Sequence, residues 1–277
     1  MKKNIERFLY FLVYSNIYLA LGALSIAYMS IVLLQVPFRW EPLFIAFSGT
    51  FFLYNLNRKT DIGEDRINYP ERVEFFEKYG SIIFKVSIIF FVSSLLLALL
   101  NGIITFLVVL TPFVLVILYS VLRLKKIFLI KNIFVGMGWA TIPLLAGLYS
   151  HPNYIITLIV VMLFIFLRVW MGTAIFDVKD IVGDRIYKIS TIPGRYGIKT
   201  LKLFSYLLNT SAGILILYCS FIKILPIEGF LVFLITFYSY FTIFLIGKSD
   251  IKFVSNILVN GDGWIMGLLA LFGKIWL

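Results

Sequence analysis

The sequence has a single cysteine, Cys219, and a single histidine, His151, in 277 residues. That count rules out a disulfide framework and any zinc site assembled from Cys and His, and it leaves a Ser-His-Asp or Cys-His centre almost nothing to be built from. Charge is scarce as well. Only 14% of residues are Asp, Glu, Lys or Arg, against about a quarter in a soluble domain, which excludes a soluble enzyme. What fills the chain is apolar: 61% hydrophobic residues and a mean hydropathy of +0.99. A bilayer-crossing helix takes about 20 such residues, so the apolar runs use up most of the length and leave no room for a second large soluble domain. The opening MKKNIERFLYFLVYSN runs into a long apolar stretch with no small-residue cleavage site, and reads as a retained first span rather than a signal peptide.

Cutting the apolar runs where charge or turn residues cluster predicts nine spans, at about 8–35, 40–56, 81–100, 103–122, 131–149, 153–176, 201–221, 228–246 and 264–276. The last is short, with Trp264 and Trp276 placed as interfacial anchors. With the N-terminus inside, 20 of the 25 basic residues fall in inside segments and only Arg39, Lys223 and Lys274 fall outside, with Lys85 and Arg168 within spans. This asymmetry matches the positive-inside rule. It also accounts for the net charge of +11 without nucleic acid, as a cytoplasmic face lying against anionic lipid or an anionic substrate.

Most of the acidic residues share that face, which topology alone does not require. At the end of the second predicted helix stands Asn57-Arg-Lys-Thr-Asp61-Ile-Gly-Glu-Asp65-Arg66, with oxygen ligands at i, i+4 and i+8. At the end of the sixth stands Asp177-Val-Lys-Asp180-Ile-Val-Gly-Asp184-Arg185, at i, i+3 and i+7. Helical spacing of this kind lines one stripe. The segments TDIGEDRI at 60–67 and KDIVGDRI at 179–186 echo each other at an offset of 119 residues, and each is followed by a Tyr-Gly pair, Tyr79-Gly80 and Tyr196-Gly197. The echo predicts two pseudo-repeated halves, each bringing a carboxylate stripe to the same face of a central cavity. One acidic cluster by itself is more economically a solvated or salt-bridged helix end. Two matched clusters point instead to bridging cations: hard Mg2+ ions, two or more, that take carboxylate oxygens and keep positions open for substrate phosphates.

The two stripes resemble the aspartate-rich signatures of the UbiA family of intramembrane prenyltransferases, N-x-x-x-D-x-x-x-D and D-x-x-D-x-x-x-D. Between them, Tyr119-Ser-Val-Leu-Arg123-Leu-Lys125-Lys126 and Lys131-Asn132 resemble the family's tyrosine-basic segment, with Arg123 where the family has lysine. Asp184-Arg185 followed by Ser190-Thr191-Ile-Pro193 and Gly197 is similar to the stretch after the second signature, whereas Arg66-Ile-Asn-Tyr-Pro70-Glu-Arg72 replaces the usual arginine-proline segment after the first. The resemblance implies an all-α polytopic transmembrane bundle, one domain over 1–277, with cytoplasmic acidic loops at about 57–80 and 177–202. It implies transfer of an isoprenyl group from a prenyl diphosphate donor to a hydrophobic or aromatic, quinone-precursor or lipid acceptor. Asp61, Asp65, Asp177 and Asp184 would hold Mg2+, with Asn57 and Asp180 assisting, and Asp61 and Asp177 are central to activating the leaving group. Arg66, Arg72, Arg123, Lys125 and Lys131 are the candidate phosphate ligands, by guanidinium fork or ammonium point charge. Tyr119 is the candidate polar aromatic at the reaction centre.

Arg168, some eight residues inside the sixth span, carries a charge that costs roughly 2.5–3.5 kcal/mol to insert and is expected to face a cavity or a partner, about half a turn away from Asp177. Asn16 is expected to bond a neighbouring helix as readily as a substrate. Cys219 reads as a small apolar residue and His151 as an outer-loop residue. The non-enzyme alternative is a cation-coupled transporter, disfavoured because such carriers place their acids near the midplane in broken helices, whereas all five motif aspartates sit at predicted cytoplasmic helix ends. An intramembrane aspartyl protease needs two paired aspartates at membrane depth, not two multi-carboxylate stripes.

Overall fold

The computed structural model describes the backbone of residues 2–121, 126–150 and 155–277, and side chains over 7–118, 126–150 and 155–277. Among the described residues every regular element is helical. In chain order they are α1 (Lys2–Tyr14), α2 (Ile17–Leu33), α3 (Trp40–Thr60), α4 (Ile62–Asn68), α5 (Pro70–Asn101), α6 (Ile103–Val121), α7 (Ile130–Ser150), α8 (Ile155–Ile186), α9 (Ile192–Phe221), α10 (Glu228–Val232), α11 (Ile235–Leu245), α12 (Ile251–Phe253) and α13 (Asn260–Trp276), with a π turn over Val254–Val259 joining the last two. Among the described residues six helical stretches are long and apolar enough to cross a bilayer, and seven when α1 and α2 are taken as one span bent by 70°. The molecule is thus an all-α polytopic membrane bundle.

Several predicted boundaries move, for one physical reason. Charge scarcity within the bilayer predicts that a span ends at its first charges, but α5 and α8 each run for 32 residues, about 48 Å of helix against a hydrocarbon core of about 30 Å. Their polar ends extend past the bilayer. The segments expected as loops at 57–80 and 177–202 are therefore largely helical, built from α4, the start of α5, the end of α8 and the start of α9. The last helix is longer than the predicted 264–276, because the stretch Ile251–Trp276 is continuous through the π turn.

The bundle inverts the soluble pattern. Leu100, Phe221, Ile155 and Ile82 are among the most exposed residues, while Ser30, Ser48, Asn55, Ser87, Ser94, Ser205 and Asn209 are fully buried, as expected where lipid is the outer solvent. Small residues set the closest helix contact: α2 meets α13 through Gly22, Ser25, Gly263 and Gly267, and a Cβ added at Gly263 would lie 2.8 Å from the Gly22 carbonyl oxygen. The break between α1 and α2 falls at Asn16, in the left-handed region at φ 65°. The carbonyl that the break frees on Ser15 accepts from Asn55 Nδ2 at 3.1 Å, and Asn16 Nδ2 donates to Asn55 Oδ1 at 3.1 Å. Asn16 therefore bonds α3, one of its two expected roles.

Arg168 has its partner within the bundle. Its Nε donates to Asp262 Oδ2 at 3.1 Å, and its terminal nitrogens reach Asp262, Asn209 and Ser239, so one buried guanidinium ties α8 to α9, α11 and α13.

Candidate active site

The two acidic segments are brought together by their glycines. Gly63 of the first lies where a Cβ would come within 2.8 Å of the Tyr187 hydroxyl, and Gly183 of the second packs on the Asn68 side chain. Asn68 Oδ1 accepts from the Gly183 N–H at 3.0 Å. α4 is thereby seated on the end of α8. Both segments face one cavity of about 260 Å3.

All six residues expected as metal ligands, Asn57, Asp61, Asp65, Asp177, Asp180 and Asp184, line this cavity, as do Arg72 and Lys131. The helical stripe was expected to be continuous in both motifs, and that holds only for the second. α3 ends at Asp61, whose φ −103° and ψ 18° are not helical, and Asp65 comes from the separate short helix α4. Arg66 points elsewhere: its side chain is two-thirds exposed and pairs with Glu77 at 3.1 Å. The Tyr119 side chain, Arg123 and Lys125 lie outside the described residues.

The carboxylates divide into two kinds. Asp65 and Asp177 already have internal counter-ions. Asp65, 8% exposed, is held by Arg72 and by Arg58 Nη1 at 3.2 Å. Burial would raise its carboxyl, but the two guanidinium groups outweigh burial and hold it below the usual carboxylate range. Asp177, 1% exposed, accepts from Lys131 Nζ and from Asn132 Nδ2, each at 3.0 Å. Asp184 is different: it is 4% exposed and its Oδ2 is buried with no hydrogen-bond partner in the structure. A buried, unpartnered carboxylate oxygen is costly and marks a position where a cation fits.

Six carboxylates, counting Glu64, line the cavity against four cations, Arg58, Arg72, Lys131 and Lys179. Yet among the described residues no three acidic side chains stand close enough to hold a metal ion by themselves. The donor set therefore fits Mg2+ that arrives with phosphate oxygens to complete its shell, rather than an all-protein cage.

Sequence reasoning missed Arg58, Lys179 and Tyr69. Arg58 sits inside the first motif but reads there as a spacer between acids. Tyr69, 2% exposed, offers its ring to Arg72 at 4.1 Å and Lys179 at 5.0 Å. Burial and the neighbouring Asp180 hold its phenol protonated well above the usual range. Its position just before Pro70, at a predicted loop, gave no signal.

Away from the acids the cavity wall turns apolar, with Ile45 and Leu53 from α3, Val109 and Val116 from α6, and Ile142 and Leu145 from α7. A membrane bundle whose single cavity wall passes from paired carboxylates and cations to buried hydrocarbon defines an integral-membrane enzyme for a substrate with an anionic head and an apolar tail. The chain belongs to the UbiA prenyltransferase family, whose model matches residues 23–252, and it is an intramembrane prenyltransferase. No curated protein matches the chain. Among solved structures, a UbiA homologue from Aeropyrum pernix K1 in its apo form is similar at TM-score 0.71 and 15% identity, covering 92% of this chain and 98% of the other. A UbiA homologue from Archaeoglobus fulgidus bound to GPP and Mg2+ gives TM-score 0.70 at 17% identity, covering 95% and 98%. A digeranylgeranylglyceryl phosphate synthase gives 0.60 at 20% identity, covering 93% and 96%. At these identities the likeness is one of fold.

Proposed function

We propose that the chain transfers an isoprenyl group from an allylic prenyl diphosphate to a hydrophobic or aromatic acceptor, a quinone precursor or lipid among them, in a Mg2+-dependent reaction carried out in this cavity. One observation carries the reading: both acidic motifs line one cavity that also has a wall of hydrocarbon from α3, α6 and α7. The homologue from Archaeoglobus fulgidus is bound to GPP and Mg2+, which supports the same ligands here.

Asp61, Asp180 and Asp184, with Asn57, Asp65 and Asp177, would hold two or more Mg2+ ions. Bound there, Mg2+ supplies electrostatic stabilisation of the departing diphosphate. Lys131 and Arg72, which stand beside Asp177 and Asp65, would bind phosphate oxygens; Arg123 and Lys125 are retained as further phosphate ligands and Tyr119 as a reaction-centre aromatic. The tail lies against Ile45, Leu53, Val116 and Leu145, which keep water from the allylic carbon. No histidine is among the described residues lining the cavity, His151 itself lying outside the described residues, and Cys219 is away from it on α9; the acceptor attacks the cation directly and no prenyl group is carried on the protein.

The same reading places nine spans through the bilayer, the seven apolar ones together with α3 and α6, in two pseudo-repeated halves forming one domain. It places the N-terminus and both acidic segments in the cytoplasm, supported by the Lys and Arg asymmetry. The test is donor binding with and without chelator, and in Asp61→Ala and Asp180→Ala. Binding is expected to need Mg2+ and to fall at least tenfold in either variant, as loss of a charge-assisted ligand worth roughly 1.5–3 kcal/mol requires. Unchanged donor affinity in chelator, or in either folded variant, refutes a shared site.

A further inference from the structure

The outer surface of α1 plays no part in prenyl transfer. Phe8, Leu9, Tyr10 and Phe11 are all exposed, and at about 100° per residue these four consecutive side chains spread round most of the helix. The bundle leaves that turn largely bare, an apolar patch that belongs in lipid or against a partner rather than in water. Yet α1 is not needed to cross the bilayer. α2 has 17 residues, about 26 Å at 1.5 Å per residue, which nearly matches the hydrocarbon core of about 30 Å. α1 is turned 70° from it, so with α2 as the crossing segment α1 runs close to the membrane plane.

The turn falls at the depth of the first acidic motif. Asn16 bonds Asn55 at 3.1 Å, two residues before Asn57, and Val13 and Tyr14 line the cavity beside that motif. Phe11 and Tyr14 pack on Phe75 of α5, with ring centroids 5.9 and 5.7 Å apart, and α5 continues from there with Ile82, Val86 and Ile89 exposed. The bare turn of α1 is thus continuous with a lipid-facing surface, which selects lipid over a protein partner. Charge selects the kind of lipid. Lys2, Lys3 and Arg7 stand in the first half of α1 against one acid, Glu6. A helix lying flat, basic at its start and aromatic beyond, is matched by an anionic headgroup layer, and Tyr10 and Tyr14 have the polar tip and apolar body that suit its boundary. We propose that α1 lies in the cytoplasmic headgroup layer as a docking surface for anionic phospholipid, with its turn at 8–11 on the acyl boundary and its basic residues among the lipid phosphates. From the reading above it takes only the orientation of the bundle.

The test uses the full chain in lipid nanodiscs, in a Cys219→Ser background with Phe8→Cys carrying an environment-sensitive fluorophore; Tyr10→Cys is a second labelling site should the first variant not fold. Discs of neutral phosphatidylcholine are compared with discs that also hold anionic phosphatidylglycerol. In the anionic discs, lipid spin-labelled near the headgroup is expected to quench the label more than lipid spin-labelled at the chain end. Shielding from aqueous acrylamide should be about fivefold better than in neutral discs, the factor given by one basic residue at an anionic surface. Lys2→Gln, Lys3→Gln and Arg7→Gln together should remove the difference between the discs, and high salt should weaken it. Stronger quenching from the chain end would make α1 part of a crossing segment and overturn the proposal. Free access of acrylamide in both discs would put α1 in water, and protection from every quencher would put protein against it; either result overturns it too. So does equal shielding in neutral and anionic discs, or a difference that survives in the triple variant. None of these readings uses a prenyl donor, so a failure of the transfer chemistry leaves them untouched.

Discussion

Removing Asp262 should be the most damaging single change in the interior of the bundle, although the residue is far from the acidic motifs in sequence. Arg168 is 2% exposed and, among the described residues, has Asp262 as its one ion-pair partner; Asn209 and Ser239 contribute neutral acceptors. Hydrogen bonds between membrane helices average about 0.6 kcal/mol, so Ser239→Ala is expected to cost about that. Asp262→Ala instead strands a buried guanidinium, which costs about 3–5 kcal/mol. At this chain length that is a fall in Tm of about 6–10 °C. Arg168→Met combined with Asp262→Leu should recover most of the loss, since it removes the charge together with its partner. Thermal unfolding of the four proteins in one detergent, followed by circular dichroism, reads the ranking. If Asp262→Ala melts within about 2 °C of Ser239→Ala, a difference of about 1 kcal/mol, the guanidinium is being satisfied some other way and the account of the cluster is wrong.

Three further outcomes follow from the site. The Asp65 carboxyl is held below its ordinary range by Arg58 and Arg72, so its contribution to stability is present above the unfolded value of about 3.9 and is lost as pH falls through the lower folded value. Arg72→Met should move that loss to higher pH in melts between pH 6 and 3, and an unmoved profile counts against the pairing. Arg66→Ala should change the donor KM less than about twofold, because its side chain is two-thirds exposed, pairs with Glu77 and does not line the cavity, whereas Arg72→Ala should raise it more; the reverse order would return Arg66 to the site. A saturated donor analogue should bind but give no product, since ionisation needs allylic delocalisation; comparable turnover, or a prenylated residue found by mass spectrometry, would contradict direct attack on a cation.

Much of this was legible because helical spacing in α8 survives into the fold: Asp177, Asp180 and Asp184 share a cavity from one unbroken helix. The first motif was only half legible. Its spacing fits a helix as well as the second does, yet α3 stops at Asp61; its glycine, Gly63, lies past the break inside α4, while Gly183 of the second motif sits in an unbroken helix, so glycine does not distinguish the two. Arg58 was hidden by its position between acids, and Tyr69 by its place at a helix junction. The π turn before α13 has no sequence signature either; the hydroxyls of Tyr18 and Tyr238, remote in sequence, donate to its Ile257 and Leu258 carbonyls. The expectation for Arg168 held because insertion cost alone demands a partner, but only the fold could choose Asp262 from the acids available.

The internal ion pairs of the cavity have a consequence for the order in which ligands enter. Asp65 and Asp177 are each occupied by cations of the chain itself. A divalent ion that took Asp65 or Asp177 without a phosphate would displace Arg72 or Lys131 and leave that buried side chain without its counter-charge. A diphosphate arriving alone meets aspartates that still hold those cations. On the proposed ligation, metal and diphosphate entering together would give each aspartate and each displaced lysine or arginine a new partner of opposite charge. The resting site thus discourages either ligand singly, and the two should bind with strong mutual dependence, each raising the other's affinity by the same factor.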